Sequence, residues 1–445
     1  MCKIIFYTMR GNLKFFAIAL LMCALTSCSI EKDVTPKPVD DTPKTSYTIL
    51  YYSCSSGLDN AIEPFFDQVD DIDIPEHINI VGQVKWNKGN VERFVYDHEK
   101  GAAERNSFAD EEYRVDNPEN LAAFITWARE TAPADEYIMV FCGHGNAYQP
   151  AFDDMTRGIL RDDNFPSTPY LGIGDICNAF ELAGVKDDNK FVLTMMVCCL
   201  MNTLEYSTEL VPYTDYYLAS GHVTVATSME LYNLINGFIQ HGQDETDAIV
   251  NSVKYAVEAD YAIVQHENIQ DTTLSKSSRI KKLNGYIESF VSVLDNIYYE
   301  QTYGGEDNML EKYGFTTAVI DEALAESYYY LQPYLDAGGD TSRWYQCSYS
   351  YDIVDVAKRV AEATNHESLL LYAGEIEKYA AEAIIYQRCY NLNNPVFHAV
   401  TLVNKDEWEE LRFEDANYDE LAFDKATGWS RVLKINNAKF KHEVK

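Results

Sequence analysis

Two short segments hold the residues best suited to chemistry. Phe141-Cys142-Gly143-His144-Gly145 sets a histidine between glycines, and Val197-Cys198-Cys199-Leu200-Met201 presents two adjacent cysteines. A thiol is a weak nucleophile until a base shifts it toward thiolate, and imidazole is the side chain best matched to that task near neutral pH. The pairing predicts a Cys–His nucleophilic centre. Successive residues of an extended chain point to opposite sides, so only one of Cys198 and Cys199 can face His144. Two other readings compete. Cys199 could be a buried structural thiol, since free cysteine is among the most buried residue types. Cys142 and His144, two apart, could join one cysteine of the pair around zinc, but a fourth ligand at usable spacing is missing, so no metal is assigned. His222 reads as a loop residue, and Glu205 as an acid in the first turn of a helix.

Each motif ends an apolar run, Glu136 to Phe141 and Phe191 to Val197, that reads as a buried strand. Parallel strands deliver their C-terminal residues to one sheet edge, where open α/β sheets build their sites. The surrounding pattern agrees. Strands are expected at Tyr47–Cys54, His77–Val84, Arg93–Asp97 and Tyr216–Ser220. Helices are expected at Leu58–Val69, from Asn117-Pro118 to Thr131, at Ile173–Ala183 and at Leu204–Leu210. Asn117 is suited to cap its helix and Pro118 to occupy the first turn. Strands alternating with amphipathic helices indicate a mostly parallel sheet covered on both faces. After about Ser228 helical periodicity dominates, over Ala248–Asp260, Arg279–Tyr299, Val319–Tyr334, Ile353–Ala363 and Glu367–Tyr390, with one returning strand at Val396–Val403.

The N-terminus reads as an address. Lys3, Arg10 and Lys14 precede an apolar stretch, Phe15–Leu25, too short to span a bilayer, that ends in Leu25-Thr26-Ser27-Cys28. This resembles the lipobox of bacterial lipoproteins, which implies cleavage before Cys28 and lipid attachment to its thiol. Residues 1–28 are thus a signal peptide. Residues 29–46, rich in Pro, Thr, Asp and Lys, form a flexible tether. Ser29 after the cysteine implies the outer membrane, with the folded part facing the periplasm or the cell surface. The formal net charge of −34 repels nucleic acid and anionic lipid, so neither is expected as a partner. Ten cysteines without regular spacing do not make a disulfide framework.

Taken together, the motifs resemble the clostripain family of cysteine peptidases, whose fold is caspase-like. The resemblance is carried by Tyr47–Tyr52 with Asp59-Asn60, by Asn117–Leu121 through Trp127-Ala128, and by Gly143-His144-Gly145. It continues through Val197–Met201 with Glu205, and through a tail with Tyr418, Leu421, Phe423 and Thr427-Gly428-Trp429. It implies a caspase-like catalytic domain over 47–228 and a mainly helical region over 229–445. It makes Cys199 the nucleophile, His144 the general acid/base, and the backbone amides of Gly145 and Cys199 the oxyanion donors. Calcium is admitted by the resemblance and by nothing in the residues themselves; no other cofactor is implied. Members that cut after Arg or Lys carry an acid two residues before the nucleophile, at the floor of the substrate pocket, and here that position is Val197. An apolar floor leaves a guanidinium unpaired. The expectation is therefore an endopeptidase, acting on proteins or peptides through a Cys199 thioester, with non-basic or broadened specificity. The alternatives are a silent binding lipoprotein that keeps the fold, and an Arg-specific enzyme using Glu205, Glu209 or Asp215 as the pocket acid.

Overall fold

The computed structural model describes residues 44–87, 90–109, 113–146, 158–164, 170–224, 229–263, 270–303, 314, 316–328, 350–390, 399–402 and 418–435. The signal peptide, nearly all of the tether, and most of the loop from Asn146 to Pro169 lie outside the described residues.

The central strand is β1 (Tyr47–Cys54), buried along its whole length. β-Branched and aromatic residues suit a strand covered on both faces. It pairs in parallel with β2 (Ile78–Lys85) on one side and with β5 (Glu136–Cys142) on the other. Beyond β5 lie β6 (Phe191–Val197) and β7 (Thr214–Ala219), also parallel. Register sets Ser53 beside Cys142 and Cys142 beside Val197, so the ends of β1, β5 and β6 are level. Alternation along β1 sends Leu50, Tyr52 and Cys54 into one apolar cluster and Ile49 and Tyr51 into the other. On the first face pack α2 (Pro118–Thr131), α3 (Ile173–Leu182) and α4 (Leu204–Glu209). On the second pack α1 (Asp59–Asp70), α5 (Leu231–His241) and α6 (Ala248–Ile263). The expected Asn117 cap forms, its side chain accepting from the Asn120 amide, with Pro118 opening the helix.

The expected fold class holds, and its edges add detail. Among the described residues the sheet has nine strands. One edge is closed by an antiparallel pair, β3 (Asn90–Asp97) and β4 (Ala102–Ala109). The other is closed by β8 (Gln270–Lys276) and β10 (Ile384–Tyr390), both antiparallel. Residues after 228 therefore complete the same sheet, and Lys44–Lys445 cluster as one compact unit. Between β8 and β10 run α7 (Ser277–Tyr303), α8 (Thr317–Ala325), the short strand β9 (Ser350–Asp352), α9 (Ile353–Thr364) and α10 (Glu367–Ala383).

One expectation is corrected here. The helix expected through Tyr390 stops at Ala383, and Ile384–Tyr390 is strand β10. Its Ile-Ile-Tyr start favours an extended chain once β8 offers an edge to pair with. The returning strand expected near Val396–Val403 is present as β11 (Ala399–Thr401) and pairs with β9 in a separate small sheet.

One buried acid makes this core sensitive to pH. Asp260 of α6 accepts from Asn233 Nδ2 at 2.7 Å and from the Glu230 amide, at the start of α5, at 3.3 Å. Burial, offset in part by those two bonds, pushes its carboxyl up to about 7. A raised carboxyl means that the native state holds a proton the unfolded chain has released. Its stabilising share is thus full below about pH 4 and is lost as pH rises toward 7. Asp260→Asn should remove this loss, gaining about 1–3 kcal/mol over wild type at pH 8 and little at pH 4. Denaturant midpoints measured at both pH values check this; equal gains at both would disprove it.

Candidate active site

The histidine motif leaves the C-terminal end of β5. His144 is held on two sides. Its Nε2 donates to the Ser56 carbonyl at 3.1 Å, in the turn that follows β1. Its own carbonyl accepts the Leu160 amide at 2.8 Å, while the Asn146 amide donates to the Gly158 carbonyl at 3.1 Å. Residues 158–164 thus lie as a strap against the histidine loop. The strap is fastened in turn to the end of β1, by Cys54 Sγ to the Arg161 carbonyl at 3.2 Å and by the Asp163 amide to Ser56 Oγ at 3.2 Å. A neutral imidazole that donates from Nε2 carries its basic lone pair on Nδ1. Nδ1 is therefore the nitrogen left to exchange a proton with a substrate or a thiol.

The cysteine motif leaves the end of β6. Cys198 is fully buried, with its Sγ 3.9 Å from the Phe141 carbonyl in the core beneath β5. Cys199 is only partly buried, and its Sγ lies 3.8 Å from the Thr224 carbonyl. The two thiols thus take separate directions, as alternation at the strand end requires. Burial pushes the Cys199 thiol up from its ordinary value, so it rests as the neutral thiol. The next residue, Leu200, takes the left-handed region with φ 65°. That is an unfavourable place for a branched side chain unless the surroundings impose it. Here they do: the Leu200 amide donates to the His222 carbonyl at 3.0 Å, and the Asn202 amide to the Ser220 carbonyl at 2.9 Å.

The two motifs meet at Gly145. A β-carbon built there would lie 2.4 Å from the Cys199 carbonyl oxygen, 2.8 Å from the Cys199 nitrogen and 2.8 Å from Cys198 Cβ. Only glycine allows this approach of backbone to backbone. The contact brings the amides of residues 145 and 199 to the same place. The bridge between Gly145 and Ile159 uses the Asn146 amide and the His144 carbonyl, so the Gly145 amide takes no part in it.

The remaining candidates separate clearly. Val197, the last residue of β6, is partly buried beside Cys142 on the α1/α5/α6 face. Glu205 is fully buried and accepts from the Thr401 amide and the Tyr418 hydroxyl, both at 2.9 Å. Glu209 accepts from the Ala422 amide. Asp215 is exposed at the opposite end of β7 from the site. Glu205 and Glu209 are thus each engaged by the later chain, and Asp215 lies at the start of its strand. His222, read from sequence as a loop residue, is fully buried, with Nδ1 2.7 Å from Asp271 Oδ1. Asp271 carried no signal in the sequence, because its strand is polar and lies far along the chain. Among the described residues no group of three or more His, Cys, Asp or Glu is placed to hold a metal.

A parallel sheet that delivers a glycine-flanked histidine and a cysteine to one edge is the framework of a thiol hydrolase. The family model for the clostripain family matches residues 67–435, and the chain belongs to that family of cysteine peptidases. Solved structures share the fold. A secreted C11 cysteine protease from Bacteroides thetaiotaomicron, in complex with an irreversible peptide inhibitor, superposes with TM-score 0.62 at 13% identity, over 87% of this chain and 100% of that one. An inactive zymogen C11 protease from Parabacteroides distasonis superposes with TM-score 0.59 at 15% identity, over 86% and 99%. No curated protein matches the sequence significantly.

Gly145 gives the site its sharpest test. Gly145→Ala should lower peptide turnover by about 10²-fold, because separating the two loops by even 1 Å misplaces histidine, amides and thiol together. Steady-state kinetics on correctly folded variant decide it, and wild-type turnover would refute the role given to this contact.

Proposed function

We propose that the chain is an endopeptidase with Cys199 as nucleophile and His144 as general acid/base. The observation that supports this reading is the backbone contact of Gly145 with Cys199, which joins the histidine motif to the cysteine motif just past the ends of β5 and β6. A peptide carbonyl lying there meets Cys199 Sγ. The thiol proton passes to His144 Nδ1 as the sulfur–carbon bond forms. The oxygen, now negative, receives the amide hydrogens of Gly145 and Cys199, which need no reorganisation to meet it. The imidazolium then protonates the leaving amine as the carbon–nitrogen bond breaks, giving the Cys199 thioester. Water, deprotonated by the same imidazole, attacks the thioester, and collapse of the second tetrahedral adduct returns the thiol. No step calls on a metal, and calcium has no assigned place among these residues.

Val197 sets the preference at the cleaved residue. An apolar side chain at the pocket floor leaves a buried lysine or arginine side chain without a partner, while apolar and small side chains lose nothing there. The engagements of Glu205 and Glu209 and the position of Asp215 support non-basic or broadened specificity over the arginine-cutting alternative. The peptide inhibitor bound by the Bacteroides thetaiotaomicron relative accords with a peptide or protein substrate. Cys28 carries the lipid that holds the enzyme at the outer membrane, on a tether of residues 29–46. The lipobox supports this, and the secreted nature of that relative accords with export.

Cleavage of a mixed peptide library by the purified full-length chain tests both parts. Wild type should cut after apolar or small residues, and Cys199→Ala should reduce cleavage by about 10³-fold or more. Val197→Asp should move the preference toward Arg or Lys by about tenfold or more, as a carboxylate supplies the missing partner. A wild type that already prefers arginine would overturn the assignment of Val197, and cleavage surviving in Cys199→Ala would overturn the nucleophile.

A further inference from the structure

The strand β8 is polar in sequence, Gln270-Asp271-Thr272-Thr273-Leu274-Ser275-Lys276, and yet nearly all of it is buried. Its centre of charge is Asp271, fully enclosed. One oxygen, Oδ1, accepts from His222 Nδ1 at 2.7 Å, from the Gly221 amide at 2.9 Å and from Ser220 Oγ at 3.3 Å. The other, Oδ2, accepts from Thr273 Oγ1 at 2.6 Å and from Asn202 Nδ2 at 3.4 Å. Burial alone would raise this carboxyl; the bonds from His222, Thr273 and Gly221 outweigh it and hold Asp271 below the usual carboxylate range.

The donors are not scattered. Ser220, Gly221 and His222 form the turn that leaves β7, and Asn202 lies three residues beyond Cys199. The same turn supplies both carbonyls that bind the segment after Cys199: His222 for the Leu200 amide and Ser220 for the Asn202 amide. Leu200 is kept in its left-handed conformation by the first of these. Asp271 therefore fastens the turn, and the turn fixes the direction in which the chain leaves Cys199.

On the assignment of Cys199 as nucleophile, we infer that Asp271 is a positioning residue for the reaction, acting through His222 and the Ser220–His222 turn to set the Cys199 backbone. Asp271 touches neither substrate nor the reacting atoms. Its effect reaches the Cys199 amide, one of the two oxyanion donors, and the aim of the thiol, both of which are sensitive to small displacements. The region after residue 228 thus contributes to turnover as well as to the sheet.

The test separates positioning from mere stability. Full-length wild type, Asp271→Asn, His222→Leu and His222→Asn are compared by kcat and KM on one cleaved peptide, with kcat divided by the fraction of chains whose Cys199 titrates with iodoacetamide. Cys199→Ala is the control. His222→Leu removes the donor to Asp271, whereas His222→Asn returns an N–H where Nδ1 stood. The expected result is a fall of about tenfold or more in kcat per titrated site for His222→Leu, with KM within about twofold, and recovery to within about threefold of wild type for His222→Asn. Asp271→Asn should behave like His222→Leu; if it does not fold, the two His222 variants decide the matter. Wild-type kcat per titrated site in His222→Leu, whatever its melting temperature, would overturn the inference, and so would equal losses in the two His222 variants. Full activity in the Cys199→Ala control would instead overturn the nucleophile itself.

Discussion

The catalytic edge depends on one close contact, the backbone of Gly145 against the backbone of Cys199. It is possible because β5 and β6 are neighbours and end level, so the residues just past each strand meet without any long loop between them. Everything else at the site refines that contact. The Ser56 carbonyl fixes the ring of His144, the strap of residues 158–164 fixes its backbone, and the turn after β7 fixes the exit from Cys199. A Cys–His pair needs no third acid to ionise, but it does need both side chains to be aimed. In the proposed mechanism these interactions aim them.

The later chain supplies much of that aim. Asp271 arrives on β8 and binds the turn beside the Cys199 segment. From the other side, Thr203 bridges Ala399, and the Ala399 amide donates to the Asn202 carbonyl at 3.3 Å. Glu205 then holds Thr401 and Tyr418, and the fully buried Trp429 donates from its indole to the Thr401 carbonyl at 2.6 Å. The segment from Cys199 to Glu205 is thus bound on both sides by residues that follow position 228. Buried carboxylates serve well for this because each can accept several hydrogen bonds at once, and removing their donors would leave a charge in an apolar surround.

What the sequence made legible follows from where the information is local. β1, β5 and β6 announce themselves as apolar runs, α2 through Asn117 and Pro118, and the histidine and cysteine motifs through their position just past a strand. Those features depend on neighbours a few residues away. β8 was illegible for the opposite reason: a run such as Asp-Thr-Thr-Leu-Ser is a strand only because distant donors satisfy its polar groups. The pairing of His222 with Asp271 is invisible without the fold, as is the role of Glu205, which sequence placed as a helix-end acid. The boundary between α10 and β10 was missed because Ile384-Ile385-Tyr386 continues a helical apolar stripe as readily as it begins a strand, and only the open edge of β8 decides between them.

In the proposed mechanism Cys199 is the thiol that does the chemistry, resting neutral and held by its surroundings. Iodoacetamide modification of the full-length chain, followed residue by residue by mass spectrometry alongside residual peptidase activity, tests it most directly. Cys199 should be modified ahead of Cys54, Cys142, Cys177 and Cys198. Its rate should still be climbing above about pH 8.5, the ordinary thiol range, because burial raises it. Activity should fall in step with modification at that one residue. Activity that survives full modification of Cys199, or that tracks modification of Cys198 instead, would contradict it.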